Sequence, residues 1–317
     1  MAVLLGLLVA LTYGSGDFCG GVASTRIRAS AVMVGSFALS GALLLVVTAG
    51  WWAIGGLPAA TGRDLALGVA AGCIGPIAVG LLYAGLAAGR MSVVAPITAV
   101  VAAIVPFAWG VASGERPGAV AIAGVALALL AVALISGAPE HGDRPEAVEV
   151  EARIEHRSAA DLPAVPDAAL GSSTRRLVLA ALGSGLGFGI VFVLLGATTD
   201  DAGLWPLVAA RSTAVVGSVA VLALWAAAGR GELGPNLVPI RASWAAVAGA
   251  GVFDITANAI YLAATRTGLL SIVAVLSSLY PAATVVLARV VLGERLHRQQ
   301  VLGLGVAVAG VVAMTTG

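Results

Sequence analysis

Apolar residues in this chain come in runs of about 20, separated by short clusters of Arg, Asp, Pro and Trp. Ten runs are visible, at roughly 2–22, 29–50, 65–88, 91–112, 117–137, 177–198, 203–228, 243–265, 268–292 and 300–316. A helix of that length spans the hydrocarbon layer of a bilayer, about 30 Å at 1.5 Å per residue. Lipid offers no partner to backbone N–H and C=O groups, so runs of this kind predict helices and not open strands. Between the fifth and sixth runs the texture changes. Residues 138–175 are rich in Pro, Glu and Ala and read as a polar, disordered linker, with a short helix expected around Ala147–His156.

The pattern repeats. Ser271–Arg295, SIVAVLSSLYPAATVVLARVVLGER, aligns without a gap with Ser92–Arg116, SVVAPITAVVAAIVPFAWGVASGER, and both close on Gly-Glu-Arg. Gly-Ser-Gly at 14–16 in the first span is answered by Gly-Ser-Gly at 183–185 in the sixth, and Tyr83 by Tyr261. Self-similarity on this scale says that one unit has been built twice. Five spans per unit is an odd number, so the second copy enters the membrane upside down. The expectation is an all-α polytopic membrane protein with ten transmembrane helices as two inverted five-helix repeats, 1–137 and 176–317.

Composition agrees and narrows the function. Hydrophobic residues are 60% of the 317 positions and charged residues 10%, where a soluble domain carries about 25% charged. A net charge of +1 gives no reason to expect a nucleic-acid partner. The 42 glycines suit close helix contacts, Gly183/Gly187 and Gly185/Gly189 among them as small-xxx-small pairs. Cys19 and Cys73 fall in apolar spans, where a thiol behaves as a small hydrophobe. His141, His156 and His297 match no metal-ligand spacing, and no metal or cofactor is expected. There is no His-Glu-x-x-His, no Gly-x-Ser-x-Gly and no lysine for a nucleotide-binding loop, so no enzyme is expected. The N-terminus lacks a basic region and a cleavage site and reads as a first span. Arginines crowd the odd-numbered connections, twelve against three in the even ones. Positive-inside counting then places the odd connections in the cytoplasm and both termini outside.

Charges inside the spans are the candidate chemistry, because each costs about 2.5–3.5 kcal/mol at the bilayer centre unless it has a partner or a task. Asp17, among glycines in the first span, is either a protonatable carboxylate, a partner of Arg211 in the seventh, or a cap for backbone exposed at the glycines. Asp254, Asn258 and Tyr261 share one helical face in the eighth span and are expected to line a cavity, the alternative being interhelical hydrogen bonds that join helices. Ser277, Tyr280 and Thr284 share a face in the ninth. Pro96, Pro106 and Pro281 are candidate hinges or helix breaks. Glu115, Arg116, Glu294 and Arg295 end their spans and read as structural latches, with Gly ending the helix and Arg complementing its dipole. Thr98 is expected to bond back to its own helix, Arg289 to snorkel, and Trp51, Trp52, Trp205 and Trp244 to anchor at the interfaces.

The paired ends Ser113–Arg116 and Leu292–Arg295, the prolines of the fourth and ninth spans, Tyr13-Gly14 and the Gly-Asp-Phe-x-Gly-Gly of Gly16–Gly21 resemble the EamA-type members of the ten-helix drug/metabolite transporter superfamily. The family's Arg near the start of the second helix of each repeat corresponds to Arg211, whereas Gly35 stands at that place in the first half. The resemblance implies a secondary active transporter of the cell membrane that moves a small metabolite, amino acid or drug-like solute by alternating access. A proton-coupled exporter is the expected form, with nutrient uptake, such as of a sugar, as an alternative. From another class, a channel or a non-transporting membrane protein is the competing reading. The implied partners are a small-molecule substrate, lipid and protons, with a monomer or homodimer as the assembly. The resemblance also implies termini in the cytoplasm, opposite to the arginine count.

Overall fold

The structure, a computed structural model, describes residues 1–24, 29–55, 60–87, 91–136, 170–227, 240–292 and 296–316, and among them every regular element is helical. In chain order these are α1 (Ala2–Ser24), α2 (Ala29–Gly55), α3 (Gly62–Ala87), α4 (Met91–Ala112) and α5 (Ala119–Ser136). They are followed by α6 (Leu170–Gly196), α7 (Trp205–Ala227), α8 (Ile240–Thr265), α9 and α10 (Arg298–Thr316). Helix α9 comes in two pieces, α9a (Leu270–Ser277) and α9b (Tyr280–Leu287), and closes on a π turn, Ala288–Leu292. Among the described residues eight helices are long and apolar enough to cross a membrane, and α4 adds a shorter apolar stretch at Ile97–Ala112. The molecule is an all-helical, multi-pass membrane protein.

Helix α6 begins at Leu170, inside the segment expected to be linker. Its first turns, Leu-Gly-Ser-Ser-Thr-Arg-Arg, are polar, and a helix extends into water beyond the apolar run that betrays it. The short helix expected at Ala147–His156, and Glu294 and Arg295, lie outside the described residues.

Helices of the two halves interleave, and the packing follows a two-fold pattern. Helix α1 packs on α8 as α6 packs on α3; α4 packs on α6 as α9 packs on α1; α3 packs on α7 as α8 packs on α2; α5 packs on α10. Glycine sets several of these approaches. A Cβ on Gly187 would meet Ala78 on α3 at 2.8 Å, while one on Gly185 would meet Val101 and the Thr98 carbonyl on α4 at 2.7 Å. The two glycine pairs of α6 thus face different neighbours, which lets one helix sit tightly against two.

Both chain ends lie at one end of the bundle, here the terminal end. Gly268, just before α9, meets Ala2 at the start of α1, and Gly124 near the start of α5 meets Met314 near the end of α10. Glu115, just past the end of α4, bonds to the start of α9a, so α4 and α9 run in opposite directions. At this end the core is continuous. Ser271–Leu279 are all buried, and α9a sits between two large apolar clusters, one with α1, α4, α5 and α10, the other with α1, α2, α3, α6, α7 and α8. The opposite end, here the linker end, differs. No residue of α9b is buried, and the described apolar contacts divide into two small groups. Ala23, Val32 and Val247 join α1, α2 and α8, while Val94, Leu177 and Ala181, with Leu82, join α3, α4 and α6.

Candidate functional site

Where packing passes from continuous to divided, the polar side chains of the spans collect. Arg211 of α7 donates from Nη2 to Asp254 Oδ2 of α8 at 2.5 Å, with the two side chains 11% and 30% exposed. The guanidinium also lies over the Phe37 ring of α2, 4.9 Å from its centroid. Gly41, one turn beyond Phe37, leaves room for the Arg211 stem. Asn258 Nδ2 donates to the Asp254 backbone carbonyl at 2.8 Å and to Oδ1 at 3.3 Å, so both carboxylate oxygens are engaged. Arg211 therefore pairs with Asp254, leaving Asp17 to a different use. A charged pair in an apolar span is tolerable in this form, each charge held by its opposite and by further hydrogen bonds.

Asp17 on α1 is exposed. Its carboxylate feels the charge of Asp254 on α8 and acts in turn on Tyr280 of α9b. Tyr13, one turn earlier on α1, places its ring 6.1 Å from that of Phe192 on α6. Gly14 and Gly16 allow this convergence. A Cβ on Gly14 would meet Ala283 and the Tyr280 carbonyl at 2.6 Å, and Gly16 faces Phe253 and Asp254. Thr284 of α9b donates its hydroxyl to the Gly14 carbonyl at 3.2 Å, across the same contact.

The polar stripes read from the sequence divide in the structure. Tyr261 is fully buried and donates its hydroxyl to the Phe192 carbonyl of α6 at 3.1 Å, its ring 4.7 Å from that of Phe192. It belongs to the packing beside the site and not to a wetted face. Ser277 is buried too and donates to the Val273 carbonyl of its own helix at 2.7 Å. Thr98 does the reverse of what was expected: its hydroxyl donates across to the Ala181 carbonyl of α6 at 3.2 Å. Tyr280 is half-buried at the break.

The hinge candidates differ among themselves. Helix α9 is interrupted at Ser278–Leu279, and Pro281 occupies the first turn of the piece that follows. Helix α4 runs unbroken through both Pro96 and Pro106. Its carbonyls near the prolines are accommodated without ending the helix, as membrane helices allow.

At the terminal end Glu115 accepts from the Leu270 and Ser271 N–H groups with Oε1 and Oε2, at 2.7 and 3.0 Å. It fills the role of a cap for a helix in the other half of the molecule. Arg116 beside it is exposed, and Glu115 itself is half-buried. Sequence reading missed Asp64, a fully buried acid in the first turn of α3. Thr61-x-x-Asp64 is a capping-box spacing that flags a helix start, but nothing local announces its other partner, Thr199. Tyr13 was missed as a site residue as well; its i, i+4 spacing to Asp17 was the available signal. Among the described residues no group of His, Cys, Asp and Glu is arranged to hold a metal.

The fold defines a multi-pass membrane protein, with a half-buried ion pair among its spans. Residues 175–316, most of the second half of the chain, match the EamA-like transporter family. A solved structure titled only as a crystal structure of a protein superposes with a TM-score of 0.71 over 99% of this chain and 96% of its own, at 15% identity, a likeness of fold. Comparison with curated proteins yields no match.

Proposed function

We propose that this chain is a secondary active transporter in which the units 1–137 and 176–317 rock about the Asp17–Arg211–Asp254 centre, opening it to one side at a time. The observation that carries the reading is the position of these charges. They sit where the continuous core at the terminal end gives way, among the described residues, to two separate groups of contacts toward the linker end. An inverted pair of units with a midplane site is the arrangement that permits alternating access.

The charges also bear on the cargo. Arg211 and Asp254 neutralise one another, so Asp17 leaves the centre with one negative charge in excess. A proton or an ammonium group satisfies it, and Tyr13, Phe37 and Tyr280 offer aromatic faces to an apolar body. An amino acid, an amine-bearing metabolite or a drug-like cation fits this setting, and exchange of such a solute for protons on Asp17 makes the carrier an exporter.

Counterflow in proteoliposomes tests the proposal. Trans-stimulation by unlabelled solute is expected, and its absence argues for a channel or for no transport. Asp17→Asn should keep pH-independent exchange and lose the pH dependence of net flux; an unchanged pH profile removes Asp17 from the coupling.

A further inference from the structure

At the terminal end two acids of the first half grip backbone of the second. The Asp64 side chain collects four hydrogen bonds. Oδ2 accepts from Thr61 N at 2.9 Å, Thr61 Oγ1 at 2.6 Å and Thr199 Oγ1 at 3.0 Å, and Oδ1 accepts from Thr199 N at 2.8 Å. The Thr61 N–H and hydroxyl already meet the needs of a helix start. The Thr199 bonds add nothing to that cap. They fasten the start of α3 to the connection between α6 and α7. The clasp continues into α8's end, where Arg266 Nη2 donates to the carbonyls of Thr199 and Gly203 at 3.3 and 2.9 Å. Burial lowers the Arg266 pKa, and Asp200, Asp64 and Asp201 oppose that shift. Glu115 closes the same end by capping α9a.

These contacts are not mirrored in the sequence. In the register that aligns Tyr83 with Tyr261, the position answering Asp64 at the start of α8 is Ala242, and the one answering Arg266 is Ala88. The Gly-Glu-Arg ends occur twice in the sequence, whereas Asp64 and Arg266 have no acidic or basic counterpart in this register.

We propose that Asp64, Thr199 and Arg266 form a one-sided lock that holds the terminal end shut and makes the state open toward the linker end the resting state. Their role is positioning: none reaches the Asp17–Arg211–Asp254 centre, and all three act on which side that centre faces. The proposal rests on the alternating-access reading for the purpose of the lock, while the change of side it predicts is measured without any solute.

The test uses the full chain in a background lacking Cys19 and Cys73, reconstituted in lipid, with one reporter cysteine at a time and a membrane-impermeant maleimide. Ala10→Cys reports on the terminal side, where Ala10 is buried in the core. Gly21→Cys reports on the linker side; Gly21 is exposed, has nothing within 4 Å of an added Cβ, and lies one turn beyond Asp17 on the same stripe of α1. With the lock intact, Gly21→Cys reacts and Ala10→Cys does not. Asp64→Asn turns an acceptor into a donor facing donors. It should raise labelling of Ala10→Cys on the order of tenfold and lower that of Gly21→Cys, the scale of losing one or two charge-assisted hydrogen bonds. Thr199→Val leaves the Thr61–Asp64 cap intact and should shift both reporters the same way by a smaller factor, which keeps the test alive if the Asp64 variant does not fold. Faster labelling at both positions means a loosened protein and overturns the lock, as does no change at either. Reciprocal labelling in a protein that shows no counterflow leaves the lock standing and removes the transporter reading.

Discussion

Arg211 and Asp254 show how far single residues can be read. Each stood out because a charge in an apolar run needs an answer, and the structure supplies the answer in the pair itself. Removing one partner strands the other. For a fully buried pair that costs about 3–5 kcal/mol; Asp254 keeps 30% of its side chain exposed, so about 2–3 kcal/mol is expected for Arg211→Ala or Asp254→Ala. Thermal unfolding in detergent should show this loss for each single change, and the swapped pair Arg211→Asp/Asp254→Arg should regain part of it. Equal stability of single and swapped variants would mean that the pair is not what holds these side chains. Hydroxyls were harder to read. Thr98 and Ser277 each have a carbonyl of their own helix within reach; Ser277 uses it and Thr98 does not. The choice is made by how near a neighbouring helix comes, and that is set here by Gly185, on a helix distant in sequence. Asp64 is the same case: its cap to Thr61 was written locally, its bonds to Thr199 were not.

For whole elements the apolar period carried most of the information. Span positions were legible because hydrocarbon thickness fixes helix length, while boundaries slipped by several residues, as at Leu170, where polar turns prolong α6, and at Gly55, where α2 outruns its expected end. Breaks were legible only in part. Proline marks a place where a helix has lost a hydrogen bond, yet α9 parts beside Pro281 while α4 continues through Pro106. What differs is the surroundings: the residues before the α9 break are buried on all sides and those after it are not. Glycine positions make a sharper prediction at this scale. A Cβ on Gly189 would stand 2.5 Å from Val105 Cβ, whereas one on Gly80 meets nothing within 4 Å. Gly189→Ala should therefore force α6 away from α4 and lower the unfolding temperature. Gly80→Ala should leave it unchanged or raise it slightly, since alanine suits a helix interior better than glycine by about 1 kcal/mol. If both variants melt alike, the tight α4–α6 approach is not carried by glycine.

At the scale of the molecule, the two-fold packing pattern and the antiparallel course of α4 and α9 make the terminal end a seam between the halves, sewn by Glu115 and by the Asp64 clasp. If the halves rock, this seam has to part once in every cycle, and a covalent stitch across it should stop transport without unfolding the protein. Gly110 on α4 and Ser271 at the start of α9a are placed for one: a Cβ on Gly110 would lie 3.1 Å from Ser271 Cβ. That is a few tenths of an ångström inside the disulfide range of about 3.5–4.5 Å, a gap that a small shift of α9a closes. In a background without Cys19 and Cys73, oxidised Gly110→Cys/Ser271→Cys should bind solute from the linker side and show no counterflow, and reduction should restore the flux. Either single cysteine, oxidised in parallel, should transport as well as it does when reduced, which separates the stitch from damage to the Glu115 cap. Counterflow that continues at full rate through the oxidised double variant would mean that the seam never opens, and the centre would then have to be reached by a route that leaves the two halves fixed.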